Sequence, residues 1–272
     1  AAARFPALNE ANVGISVDTA VDSAKDAADV VLLQKDLNVL EQGVLEGRKT
    51  FTNMLKYIKI TASSNFGNIF SIICASAFLP FLPMTSIQIL LQNLLYDILC
   101  IVLPWDNVDE EETLSPRDWS GKTLGRFMMS FGPLSSLFDI ATFLFLYYFL
   151  CPMLCGGATY LNITDPSLQL QYVSLFQTGW FLESMWTQVL ILHFLRTPKV
   201  PFMQSRTSTP VICITLAGIV AFTAMTFTSG ASLFGMTRLP LWYFAFLLFV
   251  ALAYMLLTTV AKYFYKKYYE LI

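Results

Sequence analysis

Residues 47–70 read GRKTFTNMLKYIKITASSNFGNIF, and the two halves of this stretch decide the fold. The first half is amphipathic: Phe51, Leu55 and Ile58 recur at helical spacing, while Arg48, Lys49, Lys56 and Lys59 make the other faces basic. The second half lies inside an apolar run long enough to cross a bilayer, which takes about 20 residues. Yet Thr61–Phe70 holds two asparagines, two serines, a threonine and a glycine. Side-chain amides facing hydrocarbon have no water to replace their hydrogen bonds. They must face protein, water or an ion. Upstream, Leu37, Leu40 and Val44 extend the same periodicity, so one unbroken helix is expected to run from a soluble segment into the membrane. Such a helix can move its membrane end when its soluble end rotates.

The rest of the chain has the composition of a multi-pass membrane protein. Of its 272 residues 56% are hydrophobic and only 13% charged, which excludes an ordinary soluble domain. The N-terminus lacks the basic-then-apolar pattern of a signal peptide; AAARFPALNE reads as the middle of a longer chain. Six segments can span: Ile58–Leu82, Met84–Leu103, Gly125–Leu150, Val173–Leu195, Val211–Ser229 and Leu241–Phe264. Pro80 and Pro83 punctuate the first turn, Pro104 ends the second span and Pro240 opens the sixth. Basic residues cluster before span one, between two and three (Arg117, Lys122, Arg126), between four and five (Arg196, Lys199, Arg206) and after six (Lys262, Lys266, Lys267). Only Arg238 lies on the opposite side, so both ends are expected to be cytosolic. The external loop 151–172 carries Cys151, Cys155 and the sequon at Asn162, read as chance spacing ahead of a disulfide or glycan. Cys74, Cys100 and Cys213 read as packing residues.

Residues 1–46 are soluble in character. VGISV and DVVLL read as short buried strands around the helical DTAVDSAKDAA, the strand–helix–strand end of a parallel sheet. Asp18, Asp22, Asp26 and Asp29 read as a solvated, capped helix face ahead of a metal site.

The polar stripe continues onto the second span. Thr61, Asn65 and Asn68 share one helical face, with Ser64 adjoining and Gly67 admitting a close neighbour. Asn93 and Asp97 share another, with Gln88, Gln92 and Tyr96 alongside. A short proline-bounded turn predicts that these helices are antiparallel neighbours whose stripes meet near the bilayer middle. An aspartate there costs about 2.5–3.5 kcal/mol on insertion scales and marks a pathway. Interhelical hydrogen bonds averaging about 0.6 kcal/mol offset too little of that for a purely structural role. Amide and carboxylate oxygens suit a hard divalent cation, and magnesium accepts few protein ligands while keeping water. Asp139, beside Ser135 and Ser136, and Glu183, between Trp180 and Trp186, are further candidates as ion ligands, proton carriers or neutral structural acids. His193, near the cytosolic end of span four, reads as a hydrogen-bonded interface residue.

PALNEANVGISV, AKDAADVVLL and GRKTFTNMLKYIK resemble the end of the phosphorylation domain and the fifth-helix stalk of P-type ATPases. TASSNFGNIFS, ILLQNLLYDI, LPWDNVD, GRFMMSFGPLSSLFDI, FQTGWFLESMWTQ and LRTPKVPFMQSR resemble the bacterial magnesium-importing branch. The resemblance covers nearly the whole chain. It implies a mainly α fold: a six-helix transmembrane bundle (58–272) after a stalk (47–60) and the terminal βαβ piece (1–46) of a haloacid-dehalogenase-like phosphorylation domain. By the same resemblance Asn65, Asn68, Asn93 and Asp97 match ion-coordinating positions, Tyr96 lies among them, and Glu183 stands where calcium pumps place an eighth-helix ligand. It further implies Mg²⁺ as cargo and as Mg-ATP, import as the direction, and residence in the cell's inner membrane. The implied partners are membrane lipids and the rest of the same pump: its actuator, nucleotide-binding and phosphorylation domains and first four helices. Nothing points to nucleic acid, and monomer and homodimer are both compatible. One departure stands out: Ala1–Phe5 replace the family's glycine- and aspartate-rich hinge. Without the phosphorylated aspartate and nucleotide pocket, these residues alone are expected not to hydrolyse ATP. The alternatives are a calcium or proton pump, a channel or secondary carrier, or a membrane scaffold.

Overall fold

The computed structural model describes residues 6–269; the hinge departure at Ala1–Phe5 lies outside them. A short helix α1 (Pro6–Glu10) precedes strand β1 (Ile15–Val17), helix α2 (Asp22–Asp26) and strand β2 (Val30–Leu32). The strands pair in parallel, Ile15 opposite Val30 and Val17 opposite Leu32, with α2 as the crossover. Asp29 accepts a hydrogen bond from the Gly14 amide at 2.8 Å, and the Asp29 and Val30 amides return bonds to the Gly14 carbonyl. This aspartate therefore closes the βαβ unit.

Helix α3 then runs without a break from Leu37 to Ser76, about 60 Å at 1.5 Å per residue. Asp36 starts it by accepting from the Asn38 amide. Its C-terminus comes at Ser76, earlier than the apolar run ends, because the chain turns through Pro80 and Pro83. Helix α4 (Ser86–Cys100) opens with a capping box in which Thr85 and Gln88 satisfy each other's amides. Helix α5 (Gly121–Phe145) continues through a widened turn (Leu146–Leu150) into α6 (Cys151–Leu154). Helix α7 (Pro166–Leu195) starts a full two turns before the expected span. Helices α8 (Thr209–Met225) and α9 (Tyr243–Tyr269) complete the bundle. Three of these segments, Ser86–Trp105, Gly121–Leu154 and Tyr243–Tyr269, are long and apolar enough to cross a membrane by composition alone. The remaining long helices are diluted by polar residues or, for α8, slightly short.

The polar residues of α3 divide between two faces. Ile60, Ser63, Gly67, Ser71 and Ala75 form a buried stripe of mostly small residues against α5. At Gly67 a Cβ would lie 2.3 Å from Ser135 Oγ and 2.9 Å from the Gly132 carbonyl, so the backbones touch. Gly132 in turn leaves room for the Phe66 ring, and Ser136 Oγ donates to the Gly67 carbonyl at 3.0 Å. Asn65 points away from this seam and is exposed. α4 meets α3 directly only toward its C-terminal end, where Tyr96 and Cys100 join Ile60 in one buried cluster. Elsewhere it leans on α7 and α8, with Gly218 accommodating Leu99, and a cleft lies between it and α3. Beyond the turn, Cys151 and Cys155 are buried free thiols in the cluster that also holds Tyr147, Tyr172 and Phe176.

The α3–α5 seam yields a stability prediction. Gly67→Ala should destabilise the protein by roughly 1–3 kcal/mol, because the contact on one side is backbone. The check is the thermal unfolding of the detergent-solubilised protein, and a melt unchanged from wild type would show that the helices part freely.

Candidate cation site

The cleft between α3 and α4 has a volume of about 240 Å³ and is lined by Asn65, Asn68, Gln92 and Asn93, with Trp180 of α7 at its back. Three of the four expected ligands thus share one space. Asp97, one turn further along α4 and exposed, does not line it. Tyr96 points the other way, into a cluster with Ile60, Cys100 and Tyr254. The back of the cleft is organised by residues of α7 that the sequence pattern does not single out. Gln188 donates to Asn68 Oδ1 at 3.0 Å and to Ser184 Oγ at 2.7 Å, and Gln92 donates to the same Ser184 oxygen at 2.5 Å. This chain of amides and a hydroxyl ties α3, α7 and α4 together and fixes Asn68 with its oxygen engaged. The signal lay in Gln177, Ser184, Thr187 and Gln188, polar residues scattered along a helix that is buried on nearly every side.

Asp139 and Glu183 lie deeper in the bundle and face each other from α5 and α7. Asp139 is fully engaged: Ser71 Oγ donates to one oxygen at 2.6 Å and Trp180 Nε1 to the other at 2.8 Å. Glu183 is 1% exposed; its carboxyl meets that of Asp139, and among the described residues no other group donates to it. A buried carboxyl so placed is costly as a bare charge. His193 is satisfied by Thr207 and Thr215, with Nε2 2.9 Å from Thr215 Oγ1.

A second charged centre, unforeseen in the sequence, sits where the stalk meets the bundle. Asp106, whose side chain has no exposure, pairs with Arg196 Nη1 at 2.8 Å and with Lys56 Nζ at 3.5 Å. Its other oxygen accepts from the Ser208 amide at 3.2 Å. Arg196 also donates to Ser205, and Lys56 to the Asn107 carbonyl at 2.9 Å. Asn53 reaches the carbonyls of Pro104 and Asp106, and Arg48 that of Thr113. Burial pulls Lys56 below the ordinary lysine value while Asp106 opposes the shift. Burial likewise pushes the Glu112 carboxyl up, opposed by Lys56 and Arg117. Together these bonds clamp the segment Pro104–Thr113 onto more than two turns of α3, Arg48 to Lys56, and onto the α7–α8 connection.

A family model described as the cation-transporting ATPase C-terminus matches residues 81–264. The chain belongs to the cation-transporting ATPases. It is 48% identical, over 97% of its length, to proteins named magnesium-transporting ATPase, P-type 1, from Salmonella typhimurium and Escherichia coli. It is 29% identical to the calcium-transporting ATPase of Bacillus subtilis over 53% of its length, 17% of that protein. The chain spans 28% of the length of the magnesium-transporting relatives, so it corresponds to the C-terminal part of a cation-transporting ATPase.

The clamp on this ATPase segment is testable. Asp106→Asn leaves Arg196 and Lys56 buried without their counter-charge and should cost roughly 3–5 kcal/mol. Denaturant unfolding in detergent measures it; a change within about 0.5 kcal/mol would show that the buried pairs do not hold the segment in place.

Proposed function

We propose that the chain is the membrane-embedded C-terminal part of an ATP-driven magnesium importer, holding its cargo between α3 and α4. The observation that carries this reading is the convergence of Asn65, Asn68 and Asn93 on one cleft. Three amide oxygens provide a hard, sparsely charged ligand set for a cation that keeps part of its water shell. Asp97, exposed beside the cleft, supplies the charge once the cleft closes. In the intact pump the first four helices cover this exposed face of α3 and α4, and they bring Asp97 toward the ion. The names of the 48%-identical relatives favour magnesium over calcium. Asp139 and Glu183 form a further ion or proton site, with Tyr96 buried nearby. On this reading all six long helices cross the membrane with both ends cytosolic, and residues 1–46 complete the phosphorylation domain. Phosphorylation there turns the stalk, and the Asp106 clamp forces α7, α8 and the α4–α5 connection to follow α3. The cleft then opens alternately to each side.

Two measurements test this. In the full-length pump, Asp97→Asn should abolish magnesium-stimulated ATP hydrolysis while leaving phosphorylation from inorganic phosphate largely intact. Asn65→Asp or Asn68→Asp should shift activation toward calcium, which accepts more protein oxygens. Normal magnesium activation in Asp97→Asn would place the cargo elsewhere.

For topology, Cys151 and Cys155 are too deeply buried to report. Cysteines introduced at exposed Leu161 and Met203 should react with an impermeant thiol reagent from outside and only after permeabilisation, respectively. The reverse pattern would invert the proposed orientation.

A further inference from the structure

Of the three asparagines on the cleft, only Asn68 has its amide held. Asn65 and Asn93 are exposed there and make no side-chain hydrogen bond among the described residues. Asn68 borders both the cleft, of about 240 Å³, and a space of about 10 Å³ behind it whose wall includes Ser184 and Gln188. That rear space holds at most a single water. The Asn68 oxygen therefore takes its hydrogen bond there from protein, with Gln188 Nε2 donating to Oδ1 at 3.0 Å.

Gln188 is held in turn. Its amide nitrogen carries two hydrogens, and the second goes to Ser184 Oγ at 2.7 Å, one turn back on the same face of α7. Gln92 of α4 donates to that same oxygen at 2.5 Å, so both lone pairs of the hydroxyl are used. Gln92, Ser184 and Gln188 are each 6% exposed or less. One hydroxyl on α7 thus fixes a residue on each wall of the cleft: Gln92 from α4 and, through Gln188, Asn68 from α3. Gln177 of the same helix ends instead on the Leu82 carbonyl, and neither of those residues lines the cleft.

We propose that Gln188, anchored by Ser184, is the positioning residue that makes the cleft prefer magnesium to calcium. The inference rests on the pump reading above and names the residues that set its ion preference. An amide held from behind by a hydrogen bond offers its remaining lone pair in one direction only. Magnesium needs ligands near ideal octahedral positions at about 2.0–2.1 Å, so a fixed oxygen favours it; calcium accepts a looser shell at about 2.3–2.6 Å and gains little. Asn68 is the fixed corner of the shell, and the free amides of Asn65 and Asn93 adjust to it. Neither Gln188 nor Ser184 needs to touch the ion.

The test uses purified full-length pump without nucleotide, dialysed to equilibrium against magnesium or calcium. The binding that Asp97→Asn removes is the cleft's. Gln188→Met keeps the side chain's length but has no N–H to give. It should weaken magnesium binding at that site by about 10–100-fold and change calcium binding by less than about threefold. In an Asn68→Ala background the same substitution should have no further effect, because both act through one oxygen. Ser184→Ala, which removes the anchor of Gln188, should shift the preference in the same direction and decides the matter if Gln188→Met does not fold. Magnesium and calcium weakened alike, magnesium binding unchanged, or losses that add in the double variant would overturn the role of Gln188 and leave the cleft standing as the cargo site. Magnesium binding undiminished in Asp97→Asn would overturn the cargo site itself, and this inference with it.

Discussion

The carboxylate of Asp106 is held out of water by Arg196, Lys56 and the Ser208 amide, and the connection between stalk and bundle depends on it. A charge buried this way is a poor source of net stability, since its desolvation offsets much of the attraction. What it supplies is geometry. Only one arrangement of α3, the segment after α4 and the α7–α8 connection gives every partner its bond, and any other strands a charge. A rotation of α3 at this level is therefore shared by the surrounding elements.

Below the clamp, α3 serves two surroundings at once. Its small-residue stripe of Ser63, Gly67 and Ser71 lets α5 approach until backbones touch, giving a seam without slack. Its amide face is left toward a cleft instead of a helix. Direct packing of α4 against α3 would have closed that space with side-chain hydrogen bonds. Because α4 leans on α7 and α8, the amides of Asn65 and Asn93 remain unengaged among the described residues. Asn68 is the exception, positioned by Gln188 and through it by Ser184.

The two buried acids illustrate how like residues acquire unlike roles. Asp139 receives donors on both oxygens from two other helices and works as a joint. Glu183, one helix away, meets only the Asp139 carboxyl and receives no donor from another helix among the described residues.

The sequence by itself determined the local features. Helical periodicity from Leu37 onward made α3 continuous, the short apolar runs VGISV and DVVLL made the parallel strands, and Gly67 marked a close approach. These rest on interactions a few residues apart, which spacing encodes. Helix ends were less legible: α3 stops at Ser76 and α7 begins at Pro166, since apolar character measures solvent preference and caps decide termini. Only the tertiary structure decided which polar residues meet. That Asp106 finds Arg196 ninety positions away, that Gln188 reaches Asn68, and that a cleft opens between α3 and α4 are matters of long-range packing. No local period carries them, because each partner lies on a different helix and is brought there by how the apolar faces of all the helices fit.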